Sequence, residues 1–92
     1  MIKSFACEDT KNLYEKGKSR KFSSLLRVAG RKLAMLDAAM DIDDLRKPPA
    51  NHLEALQGDR AGQYSIRIND QFRLCFEWKD GHAYRVEIVD YH

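Results

Sequence analysis

The first half of the chain places its apolar residues at helical spacing. Glu8 or Asp9 is a candidate cap for a first short helix that runs through Tyr14, and Gly17 suits its end. Ser23 is a candidate N-cap for a second, longer helix that runs to about residue 39. The apolar positions of this helix recur at steps of four, four, three and four, the spacing of one buried face: Leu25, Ala29, Leu33, Leu36 and Met40.

The second half of the chain changes to alternation of apolar and polar residues, which is typical of half-buried strands. The pattern predicts three strands with core-facing Tyr64, Ile66 and Ile68, then Phe72, Leu74, Phe76 and Trp78, then Tyr84, Val86 and Ile88. Turn signals at Asn69-Asp70 and Asp80-Gly81 separate these strands, so we expect an antiparallel meander. Residues 1–5 and 52–56 are candidate short strands, and Pro48-Pro49 predicts an extended connector. The fold class is therefore α+β, in two layers, with the helices packed on one face of a mostly antiparallel sheet.

The composition excludes several classes of protein. At 92 residues and 10.7 kDa, the chain has room for a single domain over residues 1–92. No apolar run approaches the roughly 18 residues of a membrane span, and the opening lacks the apolar stretch of a signal peptide. We therefore expect a cytoplasmic protein that contacts no membrane. Cys7 and Cys75 cannot form a disulfide scaffold, and the histidines and cysteines lack metal-ligand spacing, so no metal or cofactor is expected.

The net charge of +2 hides an asymmetry along the chain. Residues 1–40 contain 9 lysines and arginines against 4 acids, whereas residues 41–92 contain 7 against 10. Seven bases and no acid lie between Lys16 and Lys32. Such a block is suited to a phosphate backbone, and it is equally typical of a solvated helix face beside a basic loop.

Polar residues on the predicted sheet carry the candidate chemistry. If the apolar residues of the strands face the helices, then Arg67, Arg73 and Arg85 share the open face with Ser65 and Glu87. This face has two interpretations, a solvated surface with cross-strand Arg–Glu pairs or an anion-binding surface. Arg73 lies mid-strand between aromatic positions, and its guanidinium fits phosphate geometry, so we predict a phosphate contact there.

The closing Asp90-Tyr91-His92 follows the last strand and borders the same face. It brings together a carboxylate, a phenol and an imidazole, which are groups able to act as general acids, general bases or stacking partners. Residues 56–73 read LQGDRAGQYSIRINDQFR and follow the pattern L-x-G-D-R-x-G-x-x-S-I-R-x-N-x-x-[WF]-R. With this motif and the D-Y-H ending, the whole chain resembles HigB-type toxins, the plasmid maintenance system killer group of the RelE/ParE toxin superfamily.

The resemblance implies a compact microbial-RNase-like fold and half of a type II toxin–antitoxin pair. The implied partners are a HigA-like helix-turn-helix antitoxin, the decoding site of the ribosome and mRNA, with operator DNA bound only through the antitoxin complex. The implied activity is metal-independent, ribosome-dependent cleavage of mRNA that arrests translation and growth. Arg73 matches the family arginine at the scissile phosphate, and Asp90, Tyr91 and His92 match its C-terminal catalytic and base-stacking residues.

Further residues are expected to contact RNA through their charge or their hydrogen-bonding groups. These residues are Gln71, Arg67, Arg60, Arg20, Lys21, Arg27 and Arg31. Some characterised relatives have histidine, lysine and asparagine where this chain has Glu54, Gln57 and Gln71. Gln57 supplies no positive charge and an ionised Glu54 repels phosphate, so we expect a weak or selective nuclease, with the general base left open.

In the expected mechanism, Asp90 removes the 2′-hydroxyl proton and His92 protonates the leaving oxygen. Arg73 with Arg67 stabilises the charge on phosphorus, and Tyr91 stacks on a base. Two other functions stay open. One is a ParE-like toxin that poisons gyrase, and the other is a non-catalytic RNA- or ribosome-binding module. In such a module, charge reversal at Arg20, Lys21 and Arg27 would abolish function and His92→Ala would not.

Overall fold

Four strands form one antiparallel sheet whose order follows the chain. The structure, a computed structural model, describes residues 1–90. The strands are β1 (Glu54–Ala55), β2 (Gln63–Arg67), β3 (Phe72–Lys79) and β4 (His82–Asp90). Neighbours in the order β1-β2-β3-β4 pair antiparallel, which confirms the meander. The short strand predicted over residues 52–56 is present as the two residues of β1.

Helices cover one face of this sheet. The described helices are α1 (Glu8–Lys16), α2 (Leu26–Ala38) and α3 (Asp43–Arg46), and 3-10 turns span Ser23–Leu25, Pro49–Asn51 and Gly58–Arg60. Both α1 and α2 contact β4. Within residues 1–90, no helix combines the length and the apolar character needed to cross a membrane.

The core lies between α2 and the helix-facing side of the sheet. Leu33 and Leu36 of α2 are fully buried, as the helical spacing predicted. They belong to one cluster with the alternating residues of the strands: Ile66, Ile68, Leu74, Phe76, Val86 and Ile88. The two-layer α+β architecture is confirmed, because a single apolar stripe on the helix and a single face of the sheet bury each other.

The helices begin and end differently from the prediction, and the predicted side-chain caps are not formed. Met40 is 84% exposed, so its assignment to the buried face is wrong. The reason is that the helix ends at Ala38, and the extended backbone of Ala39, with ψ of 133°, turns the chain away from the core. Ser23 is also not a side-chain cap, since it begins a 3-10 turn that precedes α2. Helix α1 begins after Cys7, with no side-chain cap.

Residues 1–5 and the Pro48-Pro49 segment match their predicted conformations only in part. Residues 1–5 lie beside β4 through two parallel bridges, Ile2 with Ala83 and Phe5 with Val86. Pro48 is extended, with ψ of 112°, but Pro49 begins a 3-10 turn, so the predicted extended connector is half as long.

A β-bulge in β4 moves one aromatic residue to the other face. Cys75 pairs with Glu87 and Glu77 pairs with Tyr84, so β4 carries one extra residue between the two pairs. Arg85 lies within it at a φ of 51°. As a result Tyr84 shares the open face with Glu77, and Ala83 is fully buried. The prediction that Tyr84 faces the core is therefore wrong.

Two glycines allow a matched test of backbone conformation. Gly17 ends α1 at a φ of 68°, whereas Gly30 lies inside α2, and a Cβ added at either position meets nothing within 4 Å. We expect Gly17→Ala to lower the free energy of unfolding by about 1 kcal/mol, because an L-residue is strained there. Gly30→Ala is expected to raise it by about 1 kcal/mol. Urea unfolding of both variants checks this, and equal shifts in the same direction would contradict it.

Candidate functional site

Arg73 lies on the open face of the sheet with its guanidinium held by neighbouring acceptors. Its Nε donates to the Ser65 hydroxyl at 2.8 Å, and its Nη2 donates to the His52 carbonyl at 2.5 Å and to the Ser65 carbonyl at 3.3 Å. The side chain is only 11% exposed. The predicted phosphate-binding arginine is therefore oriented before any ligand arrives.

The carboxylate of Glu54 places a negative charge close to the guanidinium of Arg73. Glu54 lies in register with Ser65, and its Oε1 is 3.8 Å from Nη2 of Arg73. Glu54 is 56% exposed, so its carboxylate can swing into water. An anion that approaches this guanidinium would have to compete with the Glu54 carboxylate.

Asp90 lies at the same end of the sheet but on its other face. It pairs with Phe72, whereas Arg73 pairs with Val89, and directly paired residues share a face. Its Oδ2 accepts a hydrogen bond from Gln71 Nε2 at 3.0 Å. The prediction that Asp90 borders the open face is wrong, because the pairing places it on the helix side. Tyr91 and His92 lie outside the described residues.

An aromatic pair brings residues 18–21, a basic connector between α1 and the 3-10 turn at Ser23–Leu25, to the end of the sheet where Asp90 lies. Phe22 is 2% exposed and packs edge-on against Phe72, with ring centroids 5.9 Å apart. Phe22 anchors Lys21, whose Nζ lies 5.4 Å from the centroid of the Phe22 ring. The contact between Phe22 and Phe72 thus holds the connector, which carries Lys21 and the exposed Arg20, against the start of β3.

The bases of α2 form a second charged region next to β2. Arg27 and Arg31 are exposed on α2, while the half-buried Lys32 donates from Nζ to Asn51 Oδ1 at 2.6 Å. Burial, and after it the Arg31 and Arg67 guanidinium groups, lowers the pKa of Lys32 below its ordinary value. Arg67 pairs with Asp70 in the turn that follows β2. Arg31 and Arg67 therefore lie close to Lys32. Both arginines are among the residues predicted to contact RNA.

Arg60 crosses the open face instead of projecting from it. Its Nη1 lies 2.8 Å from Glu87 Oε1 and donates to Gln63 Oε1 at 3.1 Å. Cys75 is fully buried although it is on the open side of β3, and burial raises the pKa of its thiol. Arg85 lies at the other end of the face, where its Nε is 3.8 Å from Glu77 Oε2. The three arginines expected in one row are thus divided, since Arg67 and Arg73 pair at one end of the sheet and Arg85 lies at the other.

Several groups that shape the site are not evident from the sequence. Ser65 was expected on the open face without a role, and the contact of the His52 carbonyl with Arg73 was not predicted. The polar residue within the alternating pattern of β2 was a signal for Ser65, but nothing indicated that the 3-10 turn before β1 aims a carbonyl at Arg73. His52 is exposed, whereas His82 is half-buried. Among residues 1–90, no group of three or more potential metal ligands is found.

Comparison with known proteins extends over nearly the whole chain. Residues 3–92 match the family model described as HigB-like toxin, the RelE-like toxin of the type II toxin–antitoxin system HigB. Endoribonuclease HigB of Proteus vulgaris is 35% identical over 94 residues, which cover 100% of both chains. Toxin HigB-1 of Vibrio cholerae is 51% identical over 61 residues, 66% of this chain and 64% of that protein. An uncharacterised protein of Haemophilus influenzae is 48% identical over 58 residues, 63% of this chain and 57% of that protein. The chain thus spans less than two thirds of the latter two relatives.

Solved structures show the same fold at low sequence identity. The toxin of the YoeB–YefM complex from Staphylococcus aureus superposes with a TM-score of 0.63 at 19% identity, covering 100% of this chain and 98% of that one. YafQ from E. coli superposes with a TM-score of 0.61 at 12% identity, covering 99% of this chain and 94% of that one. The family model over residues 3–92 and the full-length relative show that the chain belongs to the HigB family of RelE-like toxins of type II toxin–antitoxin systems.

Proposed function

We propose that this toxin is a ribosome-dependent endoribonuclease that cleaves mRNA and so arrests translation in the cytoplasm. The observation that carries the proposal is the guanidinium of Arg73, which is 11% exposed and held by hydrogen bonds on the open face of the sheet. The Proteus vulgaris relative, which aligns over its full length, bears the name endoribonuclease. A fixed cation of this kind is suited to a phosphate whose charge grows during cleavage.

The proposed reaction uses the 2′-hydroxyl of the RNA as its nucleophile. A base takes the 2′-hydroxyl proton, the oxygen attacks phosphorus to give a 2′,3′-cyclic phosphate, and an acid protonates the departing 5′-oxygen. We assign the base to Asp90, the acid to His92, the charge stabilisation to Arg73 and base stacking to Tyr91. Asp90 pairs with Phe72, the neighbour of Arg73 in β3, and lies on the opposite face, so the assignment requires the RNA to pass around this end of the sheet.

The proposed dependence on the ribosome is supported by the carboxylates near Arg73. Within residues 1–90, Glu54 lies 3.8 Å from the Arg73 guanidinium and Asp90 lies at the same end of the sheet, so negative charge opposes the binding of a phosphate there. A ribosome that holds the mRNA in place supplies the positioning that such a site lacks. The exposed bases of the connector and α2 are the proposed contacts to ribosomal RNA, among them Lys21, whose Nζ lies over the Phe22 ring.

The proposed regulator is a HigA-like antitoxin with a helix-turn-helix domain. The family model describes a toxin of a type II pair, and the YoeB toxin of Staphylococcus aureus was solved in a complex with YefM. We propose that the antitoxin neutralises this toxin by binding it, and that operator DNA is bound only through the complex of the two proteins.

Brief induced expression in a bacterium, with mapping of mRNA 5′ ends, tests the proposed function. Wild type is expected to create new ends inside translated reading frames within minutes, and His92→Ala is expected to create none, because the acid for the leaving oxygen is lost. Growth arrest without new mRNA ends would refute the proposal. A DNA-damage response would then point to gyrase, and full toxicity of His92→Ala would point to a binding module.

A further inference from the structure

We infer that Ser65 is a positioning residue for Arg73, and that its hydroxyl sets the plane in which the guanidinium meets the RNA phosphate. The inference rests on the proposed function and assigns a role to a residue that does not touch the reacting atoms. Ser65 lies in β2, is fully buried, and carries the hydroxyl that accepts from Arg73 Nε at 2.8 Å. The Ser65 carbonyl accepts from Nη2 of the same guanidinium at 3.3 Å.

The contacts of Arg73 are arranged so that the guanidinium cannot rotate freely. A hydrogen bond at Nε and another at Nη2 engage one edge of the planar group. A planar fork fixed at two nitrogens has a defined orientation, whereas a single contact would allow it to turn about that contact. Ser65 is the side chain that provides the Nε contact, so its hydroxyl determines the orientation of the plane.

The carbonyl that receives Nη2 is itself fixed by buried structure. His52 has a φ of 43°, an uncommon conformation for a residue other than glycine, and it follows the fully buried Asn51. Asn51 Nδ2 donates to the Leu45 carbonyl at 3.0 Å, and Asn51 Oδ1 accepts from Lys32 Nζ at 2.6 Å. These bonds hold the turn in which the His52 carbonyl points toward Arg73.

The alternative role for Ser65 is purely structural, as a buried hydroxyl that stabilises the sheet. Thr10 provides a matched control, because it is also fully buried and its Oγ1 accepts from the Ile88 backbone N–H at 3.0 Å. Thr10 lies in α1, and Arg73 is not among the partners of its hydroxyl in the described contacts. Loss of either hydroxyl leaves one buried donor without its acceptor, so the two losses are expected to affect stability similarly.

The test is a double-mutant cycle measured as cleavage of mRNA on programmed ribosomes. Ser65→Ala is expected to lower kcat about 10- to 100-fold, because a misoriented guanidinium stabilises the transition state poorly. In the Arg73→Ala background the same substitution is expected to have no further effect, since the group it orients is gone. Thr10→Val is expected to lower the melting temperature about as much as Ser65→Ala while kcat stays at the wild-type value.

A second pair keeps the test decisive if Ser65→Ala folds poorly. Ser65→Thr and Ser65→Val have nearly equal volume and differ in the hydroxyl, so the threonine variant is expected to be at least tenfold more active. Equal activity in this pair, or an undiminished effect of Ser65→Ala without Arg73, would overturn the inference. Wild type that does not cleave, or Arg73→Ala that cleaves normally, would refute the proposed function and this inference with it. If Arg73→Ala loses cleavage activity while Ser65→Ala keeps it, only the role of Ser65 is refuted.

Discussion

Arg73→Ala is expected to reduce mRNA cleavage on ribosomes about 100- to 1000-fold, the range found when one charge-stabilising donor is removed from an active site. The expectation follows from the position of Arg73 on the open face, where Ser65 and the His52 carbonyl orient its guanidinium in advance. A donor that is already in place needs no reorganisation when charge builds up on the phosphate. The measurement is single-turnover cleavage, with growth arrest in cells as a second readout.

Arg85→Ala is the matched control for this experiment. Arg85 is also an arginine on the predicted open face, but it is 63% exposed and contacts Glu77 at 3.8 Å at the far end of the sheet. Its removal is expected to change cleavage less than about threefold, because exposed ion pairs contribute little. Thermal melting of both variants shows whether they fold. If folded Arg73→Ala cleaves as fast as Arg85→Ala, Arg73 is not the phosphate-stabilising residue.

Phe22→Ala is expected to lower the free energy of unfolding by about 3–5 kcal/mol, the cost of removing a large buried aromatic side chain. Phe22 is 2% exposed and closes the core beside Phe72, where their rings meet edge-on at 5.9 Å. Its removal leaves a cavity at the point where the basic connector joins the sheet. Because a domain of this size has only about 5–15 kcal/mol of total stability, the variant is expected to be partly unfolded at 37 °C.

Urea unfolding followed by the fluorescence of Trp78 measures this loss. Phe22→Leu keeps much of the buried apolar volume and is expected to lose clearly less stability than Phe22→Ala. A loss below about 1 kcal/mol for Phe22→Ala would show that the connector is not anchored by its aromatic residue, since that is less than a typical large-to-small core substitution.

The sequence predicted the layers of this fold because each layer depends on local periodicity. Leu33 and Leu36 at helical spacing and Leu74 and Phe76 at alternating spacing all lie in the core. Met40 continued the helical pattern and still lies outside, because the pattern does not report where the backbone leaves the helix. Tyr84 was misassigned for a related reason, since a bulge at Arg85 reverses the alternation without changing its appearance.

The candidate site was predictable in its residue types and less so in its contacts. Arg73 was identified from its position between aromatic residues, and the structure places it on the open face. Its partner Ser65 is eight positions away in sequence, and their contact depends on the strand register, which the pattern does not give. The register also places Asp90 and Arg73 on opposite faces of the sheet, which the motif alone does not reveal.

The bridges between residues 1–5 and β4 join segments that are far apart in the sequence, and this separation affects the order in which the fold forms. The hydroxyl of Ser4 accepts from the backbone N–H of Arg85, 81 positions later, and Ile2 and Phe5 bridge to Ala83 and Val86. Contacts of such long sequence separation form late, because the intervening chain must first be made and closed into a loop. Residues 1–5 therefore have no strand beside them until β4 has been made. A nascent chain that lacks β4 leaves this segment without its partner, so this part of the fold is completed only after the last strand of the sheet is available.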